Sequence, residues 1–107
     1  MYDADNLPRT ISIGFTGEKD FRVIEFDMTK WLDGIPGGTP AVVFRRPGET
    51  AVYRPEVSFA DGIMTWTVAE DDVTKSGKGK AQLEMKSTAK TRKSAQFDVQ
   101  VHPAIMR

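Results

Sequence analysis

Three features of the sequence predict an all-β fold. Turn signals recur about every 8–12 residues, which is typical of sandwiches and barrels. The segments between them are short and alternate apolar with polar residues, as half-buried strands do. The 107 residues, 39% hydrophobic and 28% charged, suffice for one globular domain. Together these features predict an immunoglobulin-like antiparallel β-sandwich of seven to eight strands with one or two short helical turns.

The first strands follow a short arm. Residues 1–8 are predicted to form this arm, because Pro8 cannot donate to a strand ladder. Arg9–Phe15 then alternates with one apolar face, made of Ile11, Ile13 and Phe15. In the next strand the apolar residues change face near Val23–Ile24, which predicts a β-bulge there.

A Gly- and Pro-rich connection follows the second strand. Asp27 can cap a helical turn over Met28–Leu32, and Gly34 is expected to end it. Pro36 and Pro40 prevent the helix from continuing. Trp31 therefore lies outside any predicted strand.

The remaining elements are read from alternation and turn residues. Strands are predicted at 41–46, 50–54, 57–59, 63–68, 80–86 and 95–102. Ala69–Lys75 is predicted to be a helical crossover, with acidic residues at its start where the helix dipole favours them. Thr88–Lys93 is predicted to be a polar turn.

The domain is predicted to span residues 9–102, with a C-terminal tail at 103–107. Its core is expected to combine apolar residues from both sheets. The predicted core residues are Ile11, Ile13, Val23, Phe26, Val43, Phe44, Met64, Trp66, Leu83, Met85, Phe97 and Val99.

Charge is balanced overall but uneven along the chain. Residues 1–72 hold 7 basic and 13 acidic residues, a net of −6, whereas residues 75–93 hold 7 basic residues and Glu84, a net of +6. Such a chain can self-associate head to tail or offer its basic part to an acidic partner. The alternative is a solvated strand face whose field salt screens.

The residue types needed for catalysis or metal binding are scarce. Cysteine is absent and His102, the one histidine, lies on the polar side of the last strand. The sequence therefore predicts no enzyme, no metal centre and no cofactor. Calcium binding by Asp3, Asp5 and Asn6, or by Glu70–Asp72, is the weaker alternative, because neither cluster matches an EF-hand loop.

Apolar residues outside the strands are the candidate partner contacts. The connection at 31–35 either folds back to plug one end of the sandwich or exposes a patch for a partner. The arm can dock on a neighbouring subunit by adding a strand to an open sheet edge. The candidate contact residues are Tyr2, Leu7, Trp31, Leu32 and Ile35.

Other binding partners are weighed against this interpretation. The runner-up function is a carbohydrate-binding module, in which Trp31, Tyr53 and Tyr2 stack on sugars of the host cell wall. Nucleic-acid binding is not expected, because the basic segment 75–93 has no aromatic residue to stack on bases. The acidic N-terminus and the lack of a long apolar run predict neither a signal peptide nor membrane insertion.

Several segments together resemble one protein family. They are Asp20–Asp27, Asp61–Val68, Gly77–Glu84, Lys93–Ser94 and Phe97–Val101. The combination is similar to the N-terminal domain of phage baseplate upper proteins, which occur in tails of phages and prophages of Gram-positive bacteria. The resemblance covers roughly residues 9–102.

The resemblance implies a structural role. It implies an immunoglobulin-like domain that anchors or supports receptor-binding parts on the baseplate, contacts other tail proteins and forms homo-oligomers. It implies no catalysis and no cofactor, and places the protein in a virion tail assembled in the bacterial cytoplasm. Family members carry more chain after this domain, so the resemblance leaves open whether this chain is a fragment of a longer tail protein.

Overall fold

A computed structural model describes residues 1–105 of the chain. Nine strands lie in this part. They are β1 (Tyr2–Asp3), β2 (Thr10–Phe15), β3 (Val23–Asp27), β4 (Thr39–Arg45), β5 (Ser58–Ala60), β6 (Ile63–Thr67), β7 (Gly77–Lys86), β8 (Thr91–Lys93) and β9 (Phe97–His102). One short helix, α1 (Thr29–Gly34), and one 3₁₀ turn, Glu70–Val73, complete the fold. The last two residues of the predicted tail, 106–107, lie outside the described residues.

Two sheets form a β-sandwich, as predicted. The first sheet has the order β1-β3-β6-β5, and the second has the order β2-β9-β7-β4 with β8 paired to β7. These orders match the two sheets of immunoglobulin constant-type domains, with β2 added beside the last strand. A wholly antiparallel arrangement was the wrong expectation, because β1 runs parallel to β3 and β2 runs parallel to β9.

The strand count exceeds the predicted seven to eight because two short strands lie where an arm and a turn were expected. Tyr2–Asp3 pairs with the edge of the first sheet, and Thr91–Lys93 pairs with the end of β7. Ser94 then separates β8 from β9, since its hydroxyl accepts the Leu83 N–H at 2.9 Å. The strand predicted at 50–54 is reduced to a bridge between Tyr53 and Phe44.

Ten of the twelve predicted core residues are buried, and two are wrong. Val23 is 57% exposed and Val43 is half-buried, whereas Ile24 and Val42 are buried in their place. A strand buries every second side chain on one face, so Phe26 and Phe44 fix the buried register of their strands.

The predicted bulge lies in a different strand. β3 pairs with β6 without interruption, so no bulge occurs at Val23–Ile24. The register of β2 against β9 shifts instead between Ser12 and Gly14. Gly14 has φ 116°, which favours glycine. The shift turns Phe15, predicted on the inward face, outward to 42% exposure.

Both predicted helical turns are present. Helix α1 begins at Thr29, whose N–H donates to the Asp27 carboxylate at 3.0 Å, and ends at Gly34. The Thr29 hydroxyl also donates to this carboxylate. The hydrogen bond from the hydroxyl, followed by the one from the backbone N–H, lowers the pKa of Asp27. Among residues 1–105, no helix is long and apolar enough to span a bilayer.

Candidate functional site

Trp31 closes one end of the sandwich. It lies in α1 and is 2% exposed. Its indole Nε1 donates to the Asp5 carboxylate at 2.7 Å, and Arg92 donates to the same oxygen at 2.8 Å. The Arg92 guanidinium carbon lies 4.8 Å from the centre of the indole ring, in cation–π contact. The connection at 31–35 therefore folds back onto the sandwich, which is the plugging alternative.

The N-terminal arm docks on its own domain. Tyr2 packs on Phe26 with ring centroids 5.9 Å apart, and the Ala4 N–H donates to the Asp27 carbonyl at 3.1 Å. The predicted strand addition occurs, but within the chain, because β1 extends the edge of the first sheet. Docking of this arm on a neighbouring subunit stays a prediction.

The five candidate contact residues differ in burial. Trp31 and Ile35 are buried and belong to the core, while Tyr2, Leu7 and Leu32 are half-buried. In this conformation Trp31 and Ile35 offer no surface to a partner. A contact through the other three stays a prediction.

A second tryptophan anchors a buried carboxylate. Asp72 is 1% exposed and lies in the 3₁₀ turn. It accepts hydrogen bonds from Trp66 Nε1 at 2.9 Å, Tyr53 Oη at 2.8 Å and the Ala69 N–H at 2.7 Å. The cluster Glu70–Asp72 thus forms a turn, and the carboxylate of its buried member accepts three structural hydrogen bonds.

Tyr53 is held on two sides. The Arg46 guanidinium carbon lies 4.2 Å from the ring centre, and Phe44 packs against the ring edge-on. Burial, followed by the hydrogen bond to Asp72, raises the pKa of Tyr53 to about 12. The phenol therefore stays protonated, and keeps its hydrogen bond to Asp72, well into the alkaline range.

The residues of the carbohydrate alternative do not form an open platform. Trp31 is buried beneath Arg92, and Arg46 lies over Tyr53. Tyr2 is half-buried against Phe26. Stacking on a sugar ring needs an exposed aromatic face, so none of the three is arranged for it in the described structure.

A surface cluster lies where β2 ends and β3 begins. We use this name for Phe15, Phe21 and Arg22. Phe21 is 73% exposed, and the Arg22 guanidinium carbon lies 5.8 Å from the ring centres of both phenylalanines. Exposed aromatic side chains beside arginine are the composition enriched at protein–protein interfaces.

Glu18 contacts two members of the surface cluster. One of its carboxylate oxygens accepts the Phe15 N–H at 2.7 Å and lies 3.2 Å from Arg22 Nε. The same oxygen occupies the space where a side chain on Gly14 would begin. The hydrogen bond from Phe15 is the main cause of the lowered pKa of Glu18. Glu18 therefore positions Arg22 and the backbone of Phe15 within the cluster.

Sequence reasoning missed this cluster because of the misplaced bulge. Phe15 was assigned to the inward face, and the exposed face of Phe21 and Val23 was interpreted as a change of register. The available signal was the alternation of Ile24 with Phe26, which already places Phe21 and Val23 outside. His102 lies beside the cluster, half-buried, 5.3 Å from the Phe15 ring and 3.0 Å from the Ser12 hydroxyl.

Comparison with known proteins adds no family to this description. No protein-family model matches the chain, and no curated protein is significantly similar to it.

Proposed function

We propose that this chain is a structural component of a phage or prophage tail. In this role it supports receptor-binding parts in the baseplate, contacts other tail proteins and catalyses no reaction. It assembles into the virion tail in the bacterial cytoplasm.

The resemblance behind this proposal lies in the framework of the sandwich. Lys93 of the shortest segment ends β8, and the other four segments form most of strands β3, β6, β7 and β9. These are the two central strands of each sheet. Asp5 and Trp31 of the closed end lie outside those segments, whereas Phe21 and Arg22 of the surface cluster belong to the segment Asp20–Asp27.

The observation that carries an assembly role is the exposed surface cluster. Phe21 is 73% exposed. Arg22 lies beside it and forms an ion pair with Glu18 at 3.2 Å. An exposed aromatic side chain next to an arginine is a composition enriched at protein–protein interfaces, which favours a protein partner.

The rigidity of the domain supports the same role. Each tryptophan donates its indole N–H to a carboxylate, Trp31 to Asp5 and Trp66 to Asp72. These bonds tie a terminal arm and a loop to the sandwich. A module that transmits load between neighbours benefits from such links, because local opening then requires breaking buried hydrogen bonds.

Mass spectrometry of purified particles, induced from the strain that encodes the chain, tests the proposal. We expect the polypeptide at a fixed stoichiometry with other tail proteins. Its absence from intact particles, while it is present in the cytosol, overturns the proposal.

A variant pair locates the contact on the particle. Phe21→Ser removes the most exposed ring of the surface cluster, whereas Ile105→Ser removes an apolar side chain that is 91% exposed elsewhere. We expect Phe21→Ser to reduce incorporation into particles and Ile105→Ser to leave it unchanged. Equal incorporation of both variants excludes the surface cluster as the contact.

A further inference from the structure

The two outer faces of the sandwich carry opposite charge. On the first sheet, the outward charged residues of the strands are Asp3, Glu25 and Asp27, all acidic. We call this sheet surface the acidic face. It also contains the exposed Val23. Strands β5 and β6 add neutral residues there, among them Ser58, Thr65 and Thr67.

The outer surface of the second sheet is basic. Five basic residues on its strands face outward, against the acids Glu84 and Asp98. They are Arg45, Lys78, Lys80, Lys86 and Lys93. We call this surface the basic face.

The two acids of the basic face are already paired. Asp98 lies 2.7 Å from Lys80, and Glu84 lies 3.3 Å from Arg54 and 3.8 Å from Lys93. The hydrogen bond to Lys80 is the first cause of the lowered pKa of Asp98. Arg45 and Lys78 form no ion pair with any described residue, so the surplus of positive charge faces solvent.

The acidic face holds like charges close together. Asp3 and Asp27 are direct neighbours across β1 and β3, and Glu25 precedes Asp27 by two residues on the same face. Like charges directly opposite each other destabilise a strand pair. A cationic surface seated on this face would relieve that repulsion.

Both faces also carry exposed apolar residues. Val23 and Phe21 continue the acidic face toward the surface cluster, and both are more than half exposed. On the basic face Val52, 56% exposed, lies with Val43, Arg45 and Lys80 around a shallow cavity of about 190 Å³. Each face thus combines apolar contact area with an excess of one charge, although Arg22 lies beside Val23 and Glu25 at the border of the acidic face.

We propose that copies of this chain associate head to tail, with the acidic face of one copy on the basic face of the next. The inference rests on the proposed function, because it names the partner of an assembly protein as a second copy of itself. The formal net charge of the chain is 0 at neutral pH, so the copies do not repel each other as a whole. Such a heterologous contact gives a ring if its rotation closes and a filament if it does not.

The dimensions of the domain fit this contact. The molecule measures 48 × 25 × 22 Å along its principal axes. Its broad faces therefore have room for the roughly 800 Å² per partner that a standard-size protein interface buries. A polar, charged interface of this kind forms quickly and weakens as salt rises.

Sedimentation of the full chain over a range of concentration and salt tests the inference. We expect oligomers at low ionic strength that dissociate as the salt approaches 1 M, where the screening length falls to about 3 Å. A monomer at every salt concentration overturns the inference. Binding of duplex DNA by the basic face of a chain that stays monomeric also overturns it.

Two double variants, one for each face, distinguish a head-to-tail contact from a symmetric one. Val23→Thr/Glu25→Gln changes the acidic face, and Arg45→Gln/Lys78→Gln changes the basic face, all at exposed positions. We expect each variant alone to lose about tenfold or more in association constant. An equimolar mixture should form a 1:1 dimer, because one intact face of each kind remains. A mixture that stays monomeric overturns the head-to-tail arrangement.

Matched controls exclude a general effect of charge. Asp33→Asn in α1 and Lys75→Gln before β7 neutralise exposed residues outside both sheets. Both should associate like the wild type, and a loss equal to that of the face variants overturns the assignment of the faces. The outcome is separable from the proposed function, since a monomeric chain found in particles refutes only the inference. A self-associating chain absent from particles refutes only the tail role.

Discussion

The Trp31 indole donates to the Asp5 carboxylate at 2.7 Å, although the two residues lie 26 positions apart. Arg92, from the other half of the chain, shares the same oxygen and covers the indole ring. One carboxylate in the arm thus joins α1 and β8. The arm is held to the domain by this contact as well as by the short ladder between β1 and β3.

Asp5→Ala tests how much this contact contributes to stability. The indole N–H of the buried Trp31 would lose its acceptor, and Arg92 would lose its ion pair. We therefore expect the free energy of unfolding to fall by about 1–2 kcal/mol. Urea denaturation monitored by tryptophan fluorescence measures the change. Asp33→Ala, at an exposed position of the helix, should stay within about 0.5 kcal/mol of the wild type. Equal stability of the two variants contradicts a structural role for Asp5.

Much of the sandwich could be predicted from alternation alone. In strands with one solvent-exposed face, such as β7 and β9, apolar and polar residues alternate along the sequence. Both strands were therefore predicted to within a few residues of their observed bounds. The two helical turns were predictable because Asp27 precedes the first with capping chemistry, and the acids 70–72 lie in the first turn of the second. Alternation and capping involve residues close together in the sequence, so they can be recognised in a single sequence.

The misplaced features depend on contacts between distant residues. The parallel pairing of Thr10–Phe15 with the last strand, and the bulge at Gly14, are set by a partner about 90 positions away. Trp31 was correctly seen to lie outside the strands, but its burial depends on Asp5 and Arg92. The surface cluster was missed for the same reason, since the bulge decides where Phe15 points.

Asp72→Ala tests the buried acceptor beside the second tryptophan. The substitution leaves the Trp66 indole N–H and the Tyr53 hydroxyl without an acceptor, and burial makes unmet donors costly. We expect a loss of about 3 kcal/mol in the free energy of unfolding. Asp71→Ala is the matched control, because Asp71 is exposed and only its backbone carbonyl is used, by Arg46. A similar loss in both variants would show that the turn itself, not the Asp72 carboxylate, is responsible.

Tyr53 should make stability fall at alkaline pH. Its pKa is raised from 10.0 to about 12 in the folded chain, so folding favours the protonated phenol. The contribution is fully present below pH 10 and is lost as the pH rises through the folded value of about 12. We therefore expect the stability difference between the wild type and Tyr53→Phe to shrink over this range.

The alkaline prediction has a direct spectroscopic check. The chain has two tyrosines, so a Tyr2→Phe variant leaves Tyr53 as the sole phenol. Its phenolate absorbance should rise only near pH 12 while the chain is folded, and near pH 10 once the chain is denatured in urea. A transition at pH 10 in the folded protein contradicts the burial of the Tyr53 phenol and its hydrogen bond to Asp72.

Gly79 should tolerate no side chain, because the backbone and a ring of β4 occupy the space that its Cβ would need. A Cβ atom at this position would lie 2.4 Å from the Arg45 carbonyl oxygen and 2.8 Å from the Phe44 ring. The backbone of β4 cannot move aside without breaking its ladder to β7, so Gly79→Ala should cost about 1–3 kcal/mol. Gly34→Ala is the matched control, since no atom lies within 4 Å of its new methyl group. Chemical denaturation of both variants measures the difference, and equal stability would show that the two strands can separate there without loss.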